Sequence, residues 1–415
     1  MNSAALRIIF GKVRWLSYEV FTSLFDALFW FAHLPVSGSP GIAEKGKKRI
    51  VFIGELLPPR TPRMAKWIVR TGTYSAVLVC SKRGFIQKFS DPCFEATLLF
   101  RNKWHLRRIL RAIPDVYLLH SFAPKSYYPD IARQSHKAPF IQDMQDVYAT
   151  YYGLNPDLPW LKRELPHERA CLEQADGVIG HSLEPNVAYR KYGTKNKPAN
   201  LFFPLYCDND FFRTNQKPLN PDDIHLVYAG GVAGSHRNPK QYGNIQFQQI
   251  IQTLSAQKLH FHIYPSPSNV RADYEEYEAL AKENPFFHFH KSVAQQDLSK
   301  ELSQYHFGFH TGFVNDKEHK QSADKYKYCT TLKLFNFIEA GIPVIISKNL
   351  TFQCWMLERF QCGFGIERTQ LEHLRPFILG LKYEEARARL IEQREDLGLK
   401  KHTARLLSFY EKIAR

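Results

Sequence analysis

The 415 residues contain no Cys-x-x-Cys pair, no internal repeat of fixed period and no low-complexity tract. The seven cysteines (80, 93, 171, 207, 329, 354 and 362) are odd in number and scattered. That argues against a disulfide framework or a zinc ribbon and points to a reducing compartment, with most of the thiols acting as small core residues. Acid is also scarce: 40 Asp and Glu face 56 Lys and Arg, a net charge of +16 that calls for an anionic partner. Nucleic acid is disfavoured as that partner, because no helix-turn-helix, RNA-recognition or zinc signature occurs. Gly230, Gly231 and Gly234 do not form G-x-G-x-x-G, which disfavours a dinucleotide dehydrogenase. Hydrophobic content of 44% and charged content of 23% belong to an ordinary globular chain, long enough for two or three domains.

Residues 1–35 hold the longest apolar region, yet Glu19 and Asp26 interrupt it and weaken a membrane-spanning reading. Leu6, Phe10, Val13, Val20, Phe21, Leu24, Phe25, Leu28 and Phe31 make a broad apolar face at helical spacing, opposite Glu19, Thr22, Ser23 and Asp26. With Arg7, Lys12 and Arg14 leading, this pattern suits a helix lying in an anionic bilayer interface. A signal anchor and a helix packed on the protein's own body are the alternatives. Residues 36–48 read as a flexible basic linker.

From Arg49 onward strand and helix alternate. Strands are expected at 50–54, 76–80, 94–100, 115–120, 139–143, 176–182 and 200–204, then, after the polar linker 206–223, at 225–231, 259–264, 286–290 and 306–310. This rhythm predicts α/β architecture with parallel sheets covered on both faces, where ligands bind beyond the carboxyl ends of strands. The helix over 101–112 carries Arg101, Lys103, Arg107, Arg108 and Arg111, a basic surface suited to anionic lipid heads.

The stretch TTLKLFNFIEAGIPVI, residues 331–346, reads as helix, turn and strand, with Gly341 as the left-handed stop. Lys333, Asn336 and Glu339 recur every three residues and so share a face, expected to point away from the core. This stretch resembles the K-L-x-E-x-x-A-x-G-x-P-V-I signature of the large retaining family of GT-B glycosyltransferases, enzymes with two Rossmann-like domains facing a cleft. Its ribose-binding glutamate falls on Asn336, and the glutamate eight residues earlier on Tyr328.

The resemblance implies a nucleotide-sugar glycosyltransferase of hexosyl type, retaining and independent of metal, with no cofactor beyond its substrates. An inverting GT-B enzyme and a catalytically inactive GT-B scaffold are the alternatives. It implies an acceptor domain over 49–205, a donor-binding domain over 224–380, and helices over 381–415 whose last member crosses back to the first domain. His120 and Asp143, at strand ends, take the catalytic positions. Gly230, Gly231, Arg237, Lys240, His310, Thr311, Lys333, Asn336 and Glu339 take the donor-binding positions. Basic charge and the amphipathic start extend this to a glycan or lipid-linked acceptor in envelope polysaccharide or lipopolysaccharide synthesis, on the cytoplasmic face of the membrane.

Histidines 260, 262, 288 and 290 recur with period two and invite a metal. Each pair lies on one strand with no carboxylate partner fixed by sequence, so no metal site is expected.

Overall fold

The structure, a computed structural model, describes residues 20–32, 38, 40–41, 43–84, 93–122, 124–214, 217–313 and 322–415. Residues 1–19 and 33–35 of the amphipathic segment, residues 36, 37, 39 and 42 of the linker, and residues 314–321 ahead of the signature stretch lie outside them.

The apolar runs read as strands all form strands. In the first half these are β1 (Lys48–Gly54), β2 (Tyr74–Ser81), β3 (Ala96–Phe100), β4 (Val116–Phe122), β5 (Phe140–Met144), β6 (Gly177–Gly180) and β7 (Ala199–Phe202). They build a parallel sheet in the order β3-β2-β1-β4-β5-β6-β7. Ile50, Val51, Phe52 and Ile53 of β1 are all buried, without alternation. Val51 and Ile53 enter the core on one face and Ile50 and Phe52 the core on the other. Each such side chain contributes roughly 1.5–3 kcal/mol.

The second half contains β8 (His225–Gly230), β9 (His260–Pro265), β10 (Phe287–Phe289), β11 (Phe307–His310), β12 (Val344–Ser347) and β13 (Gly363–Ile366). Their parallel order is β10-β9-β8-β11-β12-β13. In each sheet the winding reverses beside the first strand, between β1 and β4 and between β8 and β11. A crevice opens at the carboxyl ends there. The last helix, Leu399–Ile413, leaves the second half and places Leu406, Phe409 and Tyr410 against Ile50 and Phe52.

The signature folds as read: a helix over Leu332–Ala340, Gly341 at φ 72°, then β12. Its polar face departs from expectation. Asn336 is 5% exposed and Glu339 1%, because the first half covers them. Helical spacing says which residues share a face; it cannot say that another domain lies on it.

Residues 20–31 are helical. The orientation is the reverse of a core helix: Asp26 is fully buried, while Phe21, Leu24, Leu28 and Phe31 are 60% or more exposed. Arg101 Nη2 and Arg108 Nη1 reach Asp26 Oδ1 at 2.8 and 3.1 Å, and Asn102 Nδ2 donates to Oδ2 at 2.9 Å. Arg101, just before the helix Lys103–Ala112, and Arg108 within it therefore hold this acid rather than forming an open basic surface. Among the described residues no helix is long and apolar enough to cross a membrane.

Candidate active site

A cleft of about 640 Å³ lies between the two sheets, lined from both halves. From the second half come Gly230 and Gly231 at the end of β8, the start of the helix Gln295–Leu302, and Thr331, Lys333 and Asn336 of the signature. From the first half come Pro62, Arg63 and Lys66 of the helix Arg60–Val69, which follows β1.

Lys333 is the organising cation. It sits in the first turn of the signature helix, whose N-cap Thr331 makes no capping bond and whose first turn holds no acid. The unpaired N–H groups of that turn and the ammonium therefore share one end of the cleft, an arrangement that favours an anion. Lys333 is half-buried and forms no ion pair with a described residue; burial, aided by Lys325, pushes its pKa down. Its ammonium lies 5.7 Å from the Tyr228 ring. A Cβ at Gly230 would meet Lys333 Cε at 2.4 Å and push the ammonium from its place.

The other signature residues are engaged across the cleft. Arg63 Nη1 and Nη2 donate to Glu339 Oε1 and Oε2 at 2.7 and 3.2 Å, and Nη2 also reaches Asn336 Oδ1 at 3.3 Å. Asn336 Oδ1 accepts from Gln295 Nε2 at 3.0 Å. Glu339 further accepts from the Asp208 backbone N–H at 2.7 Å. Burial pushes its carboxyl up to about 7 against the pull of Arg63. Asn336 is thus at the cleft, whereas Glu339 is an interdomain anchor and does not line it.

His310 and Thr311 close β11 beside the signature. His310 Nε2 bonds Thr331 Oγ1 at 2.9 Å, and burial pushes its pKa down to about 3, so the ring is neutral. Neither residue lines the cleft. Arg237 is committed to Asp273 through bonds of 2.9 and 2.8 Å, and Lys240 is exposed on the short helix Pro239–Tyr242; both lie outside the cleft lining.

His120 and Asp143 come together, their nearest atoms 3.5 Å apart, but each is only 1% exposed and neither lines the cleft. Arg60 covers them: its Nε donates to Asp143 Oδ2 at 2.8 Å and its two Nη groups to the carbonyls of Pro204 and Phe203. Tyr410 of the last helix bonds His120 Nδ1. Burial alone would raise the Asp143 pKa, but Arg60 and His120 hold it down at about 2. A carboxylate so firmly ionised is a poor proton acceptor. The pair belongs to a buried network joining β4, β5 and the last helix.

Sequence reasoning missed Arg63, Lys66 and Gln295. The signal in the sequence is a pair of arginines, Arg60 and Arg63, shortly after the first strand, at the carboxyl end of its sheet. The acids beside them are occupied: Asp210 pairs with Lys66 at 2.9 Å and Arg70 at 2.7 Å, and these hold its pKa down at about 2. Asp208 pairs with Lys66 as well. The described lining therefore offers cations, amides and backbone donors, with its carboxylates already paired.

The family model described as "Glucosyltransferase 3-like, C-terminal domain" matches residues 241–392. No curated protein matches the sequence. Among solved structures, sucrose-phosphate synthase from Thermosynechococcus elongatus is 13% identical with a TM-score of 0.60, the match covering 88% of this chain and 99% of that one. HepE from Anabaena in complex with UDP-glucose is 12% identical with a TM-score of 0.60, over 87% and 99% of the two chains. The N-terminal domain of trehalose-6-phosphate phosphatase from Candida albicans is 12% identical at 0.54, over 92% and 100%. Two parallel sheets facing one cleft, with the last helix returning to the first, make the fold GT-B.

Proposed function

We propose that this chain is a glycosyltransferase that binds a nucleotide sugar at the Lys333 end of the cleft and transfers its sugar to an acceptor held by the first half. The observation that carries this reading is Lys333, unpaired among described residues, facing Gly230 and Gly231 at the uncapped start of the signature helix. A nucleoside diphosphate supplies the charge that this end lacks. The structure of HepE holds UDP-glucose, which makes a UDP-hexose the first donor to test.

The reaction breaks the bond between the anomeric carbon and the diphosphate oxygen and forms a bond from the acceptor oxygen on the same face. The acceptor proton passes to the departing diphosphate, and Lys333 with the helix N–H groups offsets the negative charge that develops. Retention and independence of metal rest on the cleft's occupied carboxylates: Asp208 and Asp210 are both ion-paired, leaving neither as an available base.

The thermal stability of the purified full chain against UDP-glucose, other sugar nucleotides and free nucleotides tests this reading. A rise with one donor, lost in Lys333→Ala and Asn336→Ala, is expected by mass action. No rise with any donor in the wild type overturns it. The inactive-scaffold reading has one observation in its favour, that Arg63 already occupies Glu339 and bonds Asn336; donor hydrolysis or transfer excludes it. An α-configured product from an α-linked donor separates retention from inversion.

The acceptor reading is a lipid-linked or polysaccharide glycan at the cytoplasmic face of an envelope membrane. Its support is the helix 20–31, which turns Phe21, Leu24, Leu28 and Phe31 outward on a chain of net charge +16.

A further inference from the structure

At the opposite end of the second sheet, the amino ends of its strands bring together side chains that the transfer reaction does not use. Asp223 closes the connection between the two halves, His225 opens β8 and His260 opens β9. His225 and His260 are register partners, so both rings project from one face of the sheet. Asp223 Oδ1 lies 2.6 Å from His225 Nε2 and 3.7 Å from His260 Nε2. The three ligand atoms are within 4.8 Å of one another. Ligands about 2.0–2.1 Å from a tetrahedral ion stand roughly 3.4 Å apart, so small rotations of these side chains enclose one.

A second layer of imidazoles sets the tautomers. His225 Nδ1 faces His262 Nε2 at 2.8 Å, and His262 Nδ1 faces His290 Nε2 at 3.0 Å. His260 Nδ1 faces His288 Nε2 at 3.0 Å. When each Nδ1 carries the hydrogen and donates to the next ring, the Nε2 lone pairs of His225 and His260 are both directed at the Asp223 oxygen. This is the outer-shell orientation that metal-binding histidines use. Lys217 lies 3.7 Å from Oδ2, the other oxygen of Asp223, and leaves Oδ1 to the ion.

We propose that Asp223 Oδ1, His225 Nε2 and His260 Nε2 bind a divalent transition cation of the zinc class, with solvent completing the tetrahedron. Nitrogen donors with a single carboxylate favour this class over magnesium or calcium. The ion ties the interdomain connection to β8 and β9, at the end of the sheet away from the cleft, so its role is structural. The proposal is independent of the glycosyltransferase reading.

The test is a cobalt(II) titration of the untagged full chain after treatment with chelator, read by visible absorption. One equivalent is expected to give the intense d–d bands of a tetrahedral site. Those bands are expected to be lost in His260→Gln, where the side chain is partly exposed and the fold is least disturbed, and in Asp223→Asn. They are expected to persist in His236→Gln, which alters a different surface histidine 3.5 Å from Asp273. No tetrahedral bands in the wild type, bands that survive His260→Gln, or bands lost in His236→Gln overturn the proposal. Because the wild-type titration alone can refute it, a variant that fails to fold does not rescue it.

Discussion

Arg63 and Glu339, 276 residues apart, meet in a two-pronged ion pair in which the arginine is 4% and the glutamate 1% exposed. It joins the first helix after β1 to the signature helix and fixes the two halves around the cleft. Removing one partner of such a buried pair costs about 3–5 kcal/mol, because the other charge is left without compensation. Arg63→Ala and Glu339→Ala should each lower the unfolding free energy by that order, read by urea denaturation. The double variant Arg63→Met with Glu339→Leu should lose less than the sum of the single changes.

Lys333 belongs to the ligand more than to the fold. Lys333→Ala removes a half-buried ammonium that burial already disfavours, so stability without ligand should hold or rise slightly. A hydrogen bond to a charged group contributes about 1.5–3 kcal/mol, so affinity for UDP or its sugar conjugate should fall about ten- to a hundredfold by calorimetry. Gly230→Val should reproduce part of that loss with Lys333 intact, by driving a side chain into Lys333 Cε.

Asp143 should show itself in the acid limb of the stability curve. Its carboxyl is held at about 2 against an ordinary 3.8, so below that ordinary value the unfolded chain binds the proton more readily. The stabilisation is full above pH about 4 and lost as pH falls through about 2; at about 1.4 kcal/mol per pKa unit it amounts to about 2.5 kcal/mol. Asp143→Asn should flatten that part of the curve. His120→Asn should lower stability by about 1–3 kcal/mol while kcat of the folded enzyme stays within about tenfold, since the ring is buried beneath Arg60.

The fold was legible because buried parallel strands announce themselves as short apolar runs between helices, as in Ile50–Ile53 and Val344–Ile346. The signature stretch gave its own stop at Gly341. What could not be read were relations between elements. The spacing of Asn336 and Glu339 showed a shared face, yet Arg63 lies far away in the chain and nothing local marks it as the cover. Strand periodicity placed His260 with His262 and His288 with His290, but cross-strand register added His225 and the end of the connection added Asp223. Asp143 sits near the end of β5 as expected, but β4 continues to Phe122 and leaves His120 inside the strand; the last helix, through Tyr410, and Arg60 then close over both.

Helix 20–31 gives the prediction in which sequence and structure bear on each other most directly. Its amphipathic pattern alone fits a helix facing inward or outward, and the buried acid decides between them. Asp26, held by Arg101 and Arg108, forces Leu24, Leu28 and Phe31 outward. On vesicles rich in anionic lipid, those side chains should enter the interface while the chain's excess positive charge meets the head groups. Leu24→Ser with Leu28→Ser and Phe31→Ser should cut vesicle co-sedimentation at least about tenfold, since each apolar side chain is worth about 1.5–3 kcal/mol when fully buried and the interface recovers part of that. The triple variant should leave thermal stability unchanged, because the substituted side chains already face water. Asp26→Ala should instead lower stability by removing the buried carboxylate that Arg101, Asn102 and Arg108 share beneath the helix. Unchanged vesicle binding in the triple variant would remove the helix from any membrane role.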